Sequence, residues 1–176
     1  MKILDLRKYS LLIAFLCCLS ANSAFCQVKT RNPSFGIYLD SLFQPKLPPL
    51  VVSEVKELKK QGIVLLDVRE KDEFEVSHIR HALHTSALWF DMRQLYDLPL
   101  DTTIVIYCSV GNRAQRIGER IKKAGYSKVY FLYGGIFEWL NQGNPVYRKD
   151  GVQTTEIHIY QPQWSQWLEA GTKVGL

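Results

Sequence analysis

Three short apolar runs stand out along the chain: IVLLDV at 63–68, TTIVIY at 102–107 and KVYFLY at 128–133. Each has strand length and little polar alternation, the pattern of strands buried on both faces. Between them the spacing changes to that of helices. EVKELKKQ (54–61) places Val55 and Leu58 on one face, with Ser53 as N-cap and Gly62 as stop. Residues 113–124 set Ala114, Ile117, Ile121 and Ala124 on one stripe, with Arg116, Glu119, Arg120 and Lys123 elsewhere and Gly125 closing the helix. Phe74 and Val76 suggest a short helix, ALWFDMRQLYDL (87–98) a helix ending before Pro99, and IFEWLNQG (136–143) another after a Gly134-Gly135 turn. Alternating strands and helices predict an α/β fold with a central parallel sheet flanked by helices on both faces.

The two ends depart from this alternation. Lys2, Arg7 and Lys8 precede the apolar LLIAFLCCL and then small residues, so residues 1–26 are expected to be a signal peptide. The run is too short for a permanent membrane helix. Cleavage after Cys26, or at Ala21–Ser23, would leave an exported protein, periplasmic or secreted. A lipid anchor on Cys26 is the alternative, disfavoured by the bulky Phe25. Residues 27–50, with Pro45, Pro48 and Pro49, are expected to be an extended lead-in, and 51–150 the folded domain. Beyond it, TEIHIY (155–160) alternates like an edge strand, and Trp164, Trp167 and Leu168 have helical spacing. Residues 151–176 are read as an aromatic extension packing on the domain, with a partner-binding patch as the alternative.

Composition narrows the function classes. The formal net charge is +5, of which Lys2, Arg7, Lys8 and Asp5 supply +2. The basic residues are scattered rather than gathered in a stripe with aromatics, so nucleic acid is not an expected partner. Cys17, Cys18 and Cys26 leave with the signal, and Cys108 remains without a disulfide partner.

Cys108 stands where an apolar strand ends, and Arg113 where a helix begins. Ligands collect at the carboxyl ends of strands in parallel sheets. The intervening Ser109, Val110, Gly111 and Asn112 must curl tightly, and Gly111 and Asn112 tolerate left-handed backbone. A curled loop turns backbone N–H groups inward at a helix N-terminus, an anion cradle that favours thiolate over thiol. Arg113 adds a fixed positive charge for an anionic substrate. A solvated first-turn arginine and a buried, inert cysteine are the plainer readings.

DVREKDEFEVSHI (67–79), IVIYCSVGNRA (104–114) and YGGIFEWLNQGNPV (133–146) together resemble a single-domain rhodanese, a thiosulfate sulfurtransferase-like module, over about residues 50 to 147. The resemblance implies that Cys108 carries a sulfane sulfur as a persulfide, taken from a thiosulfate-like anion and passed to a thiol or cyanide. It implies that the N–H groups of Ser109 to Arg113 stabilise the sulfur and that Arg113 binds the donor's sulfonate. Asp67 and Arg69 match the family's Asp-x-Arg near the loop; Asp67 is read as structural, Arg69 as a substrate contact or a salt bridge. No cofactor or metal is implied, and the protein is expected to be a monomer without stable membrane insertion. Related phosphatases and arsenate reductases use a longer loop, whereas four residues separate Cys108 from Arg113 here, which favours sulfur over phosphate. A non-catalytic rhodanese-type binding module is one alternative, and a cysteine-dependent phosphatase or reductase the other. One departure from the family is plain: its Gly-His-Ile-x-Gly-Ala stretch reads Ser77-His78-Ile79-Arg80-His81-Ala82, without either glycine, so an altered backbone is expected there. His78, His81 and His84 invite a metal reading, but no carboxylate or cysteine cluster accompanies them.

Overall fold

The computed structural model describes residues 29–42 and 46–175; the expected signal peptide and Cys17, Cys18 and Cys26 lie outside them. Five strands form one parallel sheet in the order β1-β5-β4-β2-β3, with β1 at Pro49–Leu50, β2 at Val64–Asp67, β3 at Leu83–His84, β4 at Ile104–Tyr107 and β5 at Val129–Leu132. All four residues of β4 are buried, which explains the absence of polar alternation in this central strand. Asp67 pairs in register with Tyr107, so the ends of β2 and β4 lie side by side. Cys108 follows directly at the carboxyl edge of the sheet.

Helices pack against this sheet. Helix α1 is Pro33–Leu42, α2 Val52–Lys60, α3 Lys71–Val76, α4 Asn112–Lys123 and α5 Gly135–Asn141. The apolar stripe of α4 buries Ala114, Ile117 and Ile121. Gly118 lets this helix approach closely: a Cβ there would stand 2.1 Å from Leu47 Cδ1 and 3.0 Å from Ile106 Cδ1.

Three expectations are corrected. Residues 27–50 are not simply an extended lead-in, because α1 occupies much of that stretch. Asn32 Oδ1 accepts from Ser34 N at 2.9 Å and Pro33 opens the helix, a start signal that the nearby prolines obscured. Helix α2 begins at Val52 with Val51, not Ser53, as its cap, and Glu54 accepts from the Val51 amide at 2.8 Å. The expected helix over 87–98 shrinks to a 3-10 turn at Met92–Leu95. There Ser86 Oγ takes the amides of Leu88 and Trp89, and Asp91 takes that of Arg93, so local side-chain bonds replace the helical ladder.

The tail returns over the domain. β6 (Val146–Tyr147) pairs antiparallel with β7 (Gln153–Thr154), and β8 (Glu156–His158) pairs parallel with β9 (Thr172–Val174). A 3-10 segment, Pro162–Trp167, places the Trp167 ring against both Phe35 and Tyr38 of α1, with centroids 5.4 and 4.9 Å apart. The two ends of the described chain thus clasp each other beside the sheet.

The missing glycines have different outcomes. Ser77 is extended, a backbone any residue adopts, whereas His81 sits at φ 65° and accepts left-handed strain. His78 and His84 lie against Phe74, and each contacts a backbone carbonyl, of Phe74 and Arg69 respectively. The His84 ring thereby joins β3 to α3, while the His78 ring packs back on α3. Among the described residues no cluster of three or more His, Cys, Asp or Glu is placed to hold a metal ion.

At the end of β2, Asp67 accepts from Arg69 through Nε at 3.0 Å and Nη2 at 2.6 Å, and neither side chain is exposed. Arg69 Nη2 also donates to Ser77 O at 2.5 Å. Of the two readings of Arg69, substrate contact or salt bridge, the ion pair with Asp67 is present, and the side chain is fully buried. Asp67→Ala would leave a buried guanidinium without its counter-ion, so urea unfolding should show a loss of about 3–5 kcal/mol.

Candidate active site

The chain turns sharply after β4. Gly111, at φ 121°, caps α4 and donates its N–H to Cys108 Sγ at 3.2 Å. A side chain at that φ would be strained, which explains the glycine. The amides of Asn112, Arg113 and Ala114, first in α4, have no acceptor within the helix, and its positive end faces the loop. Of the amides expected around the sulfur from Ser109 to Arg113, that of Gly111 is the one at hydrogen-bonding distance. Val110 is buried and Asn112 exposed.

Helix α5 supports the loop from behind. The N–H groups of Ile136 and Phe137 donate to the carbonyls of Cys108 and Ser109, at 2.9 and 3.2 Å. These bonds hold the loop carbonyls towards α5. The approach requires Gly135, at φ 58°, because a Cβ there would lie 2.3 Å from Cys108 O and 2.5 Å from Ser109 O. Gly135 is therefore a contact surface for the cysteine loop as well as part of a turn.

Helix α3 supplies a residue that the sequence reading did not single out, Glu73. Its carboxylate accepts from Arg113 Nη1 at 2.6 Å and Nη2 at 2.8 Å, from Ser109 Oγ at 3.0 Å, and from the Glu70 amide at 3.0 Å. Arg113 Nη2 also donates to Ser109 Oγ at 3.0 Å, which closes a ring of carboxylate, hydroxyl and guanidinium. Glu73 is 1 % exposed and Arg113 9 %. Position three of a helix is where a carboxylate caps the first turn, and that was the available signal. Its pairing with a residue forty positions away was not legible.

Burial works against the charge of both partners. For Glu73 it is outweighed by the hydrogen bond and charge of Arg113, the charge of Arg69 and the Glu70 amide, which hold the carboxyl below its ordinary value of 4.5. For Arg113 it is outweighed by the Glu73 hydrogen bonds and the neighbouring Cys108 and Glu73, which raise its pKa. Arg113 is thus neither a solvated surface arginine nor a free anion receptor. Both of its terminal nitrogens are bound to Glu73, while Nε is buried and has no hydrogen-bond partner among the described residues.

Cys108, the free cysteine among the described residues, has no exposed surface. A cleft of about 500 Å³ between Leu50, Ser53, Leu58, Thr103 and Tyr130 contains none of the loop residues.

This geometry has recognisable relatives. Residues 51–142 match the family model described as Rhodanese-like domain. Over 84 residues the chain is 34 % identical to Thiosulfate sulfurtransferase GlpE of Coxiella burnetii, covering 47 % of this chain and 76 % of that protein. The protein of the same name from Pseudomonas syringae is 32 % identical over 98 residues, covering 53 % and 85 %. Among solved structures, a thiosulfate sulfurtransferase from Pseudomonas aeruginosa superposes with a TM-score of 0.53 at 28 % identity, over 58 % of this chain and 20 % of that one. The BH2092 protein of Bacillus halodurans shares the fold, with a TM-score of 0.52 at 23 % identity over 68 % and 89 % of the two chains.

Two outcomes test the support around the loop. Glu73→Gln should unfold more easily at pH 7 by about 3 kcal/mol, since it leaves a buried guanidinium unneutralised. A depressed carboxyl stabilises the fold above its unfolded pKa and loses that contribution as pH falls. The gap between the native protein and Glu73→Gln in urea titrations should therefore narrow below about pH 4.5. Gly135→Ala should cost about 2 kcal/mol or more, read from urea unfolding, through left-handed strain and backbone collision.

Proposed function

Because this chain belongs to the rhodanese-like family, we propose that it transfers sulfane sulfur through a persulfide on Cys108. Family membership and the sulfurtransferase relatives support sulfurtransferase activity at family level. The observation that carries the finer reading is the Gly111 amide at 3.2 Å from Sγ, at the positive end of α4 and beside Arg113. Thiolates rather than thiols attack sulfur electrophiles, and an amide donor with a nearby cation suits a negatively charged sulfur.

In the proposed reaction the Cys108 thiolate attacks the outer sulfur of thiosulfate. The S–S bond of the donor breaks with its electron pair on sulfite, and a new S–S bond leaves Cys108 as a persulfide anion. An acceptor thiolate then attacks the terminal sulfur, departs as a persulfide and returns Cys108 as thiolate; cyanide would leave as thiocyanate. This is a ping-pong route through a covalent enzyme. Arg113 keeps Nε as a spare donor for the anionic end of the substrate, while its other nitrogens remain with Glu73. With Cys17, Cys18 and Cys26 removed in the proposed export signal, the acceptor would come from another molecule. Export directed by residues 1–26 belongs to the same proposal. The four-residue spacing between Cys108 and Arg113 favours sulfur over a phosphate substrate.

Incubation of the protein with thiosulfate should add one sulfur atom by intact mass, and Cys108→Ser should add none. Addition that persists in Cys108→Ser would overturn the carrier assignment. No addition from any sulfane donor would favour a non-catalytic binding module.

A further inference from the structure

The segment beyond the family match runs back across the cysteine loop. β8 packs on α3, with His158 Nε2 4.0 Å from Asp72 Oδ2. Ile157 and Ile159 are buried, and Ile159 N donates to Val174 O at 3.1 Å, so β8 and β9 anchor the chain on that side. On the other side, Trp164 Nε1 donates to Tyr38 Oη at 3.1 Å and Trp167 lies against α1.

Between these anchors stands Tyr160. Its backbone is left-handed, at φ 61°, and its N–H donates to His158 Nδ1 at 3.0 Å. This conformation is unfavourable for an aromatic residue and persists where the surroundings impose it. What it achieves is the placement of the ring over the Arg113 guanidinium, with Cζ 3.9 Å from the ring centroid. Trp164 lies against the same ring at 5.5 Å. The ring has one face on Arg113, and Tyr160 is 38 % exposed to solvent, whereas Arg113 is 9 % exposed and Cys108 not at all. This is the arrangement of a cover with one wet side.

We propose that Tyr160 is a gate: its ring seals the Cys108 loop by resting on Arg113, and it must leave the guanidinium before a donor or acceptor can reach Sγ. The sulfur-transfer role of the gate rests on the function proposed above, but the sealing itself does not. A lone cation–π contact is weak enough to open by ordinary fluctuation, while the anchored β8–β9 pair and Trp164 return the ring to its place. An incoming anion would have to reach the unpartnered Arg113 Nε beside the ring, so arrival of substrate and opening of the gate are coupled.

The test is the rate at which iodoacetamide, a small neutral alkylator, modifies Cys108 in the full chain. Tyr160→Ala should react at least tenfold faster than the native protein, and Tyr160→Phe, which retains the ring face, within twofold of it. Hydrogen exchange at the Ile159 amide reports whether β8 and β9 remain paired. If Tyr160→Ala loses that pairing, Tyr160→Leu, which keeps apolar bulk against Trp164 but has no π-face, replaces it and should also react faster than Tyr160→Phe. Alkylation at the native rate in the variant that stays paired would overturn the proposal, as would equal acceleration in Tyr160→Phe. Alkylation requires no sulfur transfer, so a protein that shields Cys108 yet never loads sulfur would sink the proposed reaction and leave the gate standing.

Discussion

The cysteine loop depends on one buried carboxylate. Glu73 joins α3 to the loop through Arg113 and Ser109, and with its charge removed the guanidinium would lie in the protein interior without compensation. The pair fixes the guanidinium plane, leaving buried Nε without a hydrogen-bond partner among the described residues. Ion pairs in such a setting are seldom favourable as stabilisers by themselves. Here the pair sets direction: it keeps a permanent positive charge beside Cys108 while preventing that charge from swinging into solvent.

Two glycines set the other constraint. Gly111 allows the amide to turn towards Sγ, and Gly135 allows α5 to press against the loop carbonyls. The loop is held from three directions, by α3 through charge, by α5 through backbone hydrogen bonds and by α4 through its own first turn. Its shape is therefore set by the surrounding helices together with the Ser109 hydroxyl, which Glu73 and Arg113 hold.

Much of this was legible before the structure. The runs around Val64, Ile104 and Val129 announced buried strands because both of their faces are covered. Cys108, Gly111 and Arg113 announced a loop at a strand's end. What failed to show was whatever depends on packing and long-range pairing: Glu73 reads as a helix-capping acid until Arg113 is set beside it, and nothing in Asp-x-Arg announces that Arg69 is fully buried against Asp67. Local chemistry also overrode periodicity, as where Ser86 and Asp91 took the amides that a helix over 87–98 would have used. The start of α1 was written in Asn32 and Pro33, yet the prolines downstream pulled the reading towards an extended chain. The aromatic residues of the tail were visible, but the stacking of Tyr160 on Arg113 depends on a left-handed backbone that periodicity does not encode.

Enclosure of the sulfur also bears on chemical wear. Peroxides carry accessible thiolates through sulfenic to sulfinic acid, and the second step is generally irreversible. With the gate proposed above, a sulfur that has no exposed surface meets such oxidants only while the Tyr160 ring is away from Arg113. Idle molecules are thereby spared, and damage accumulates in proportion to time spent open rather than time spent in solution.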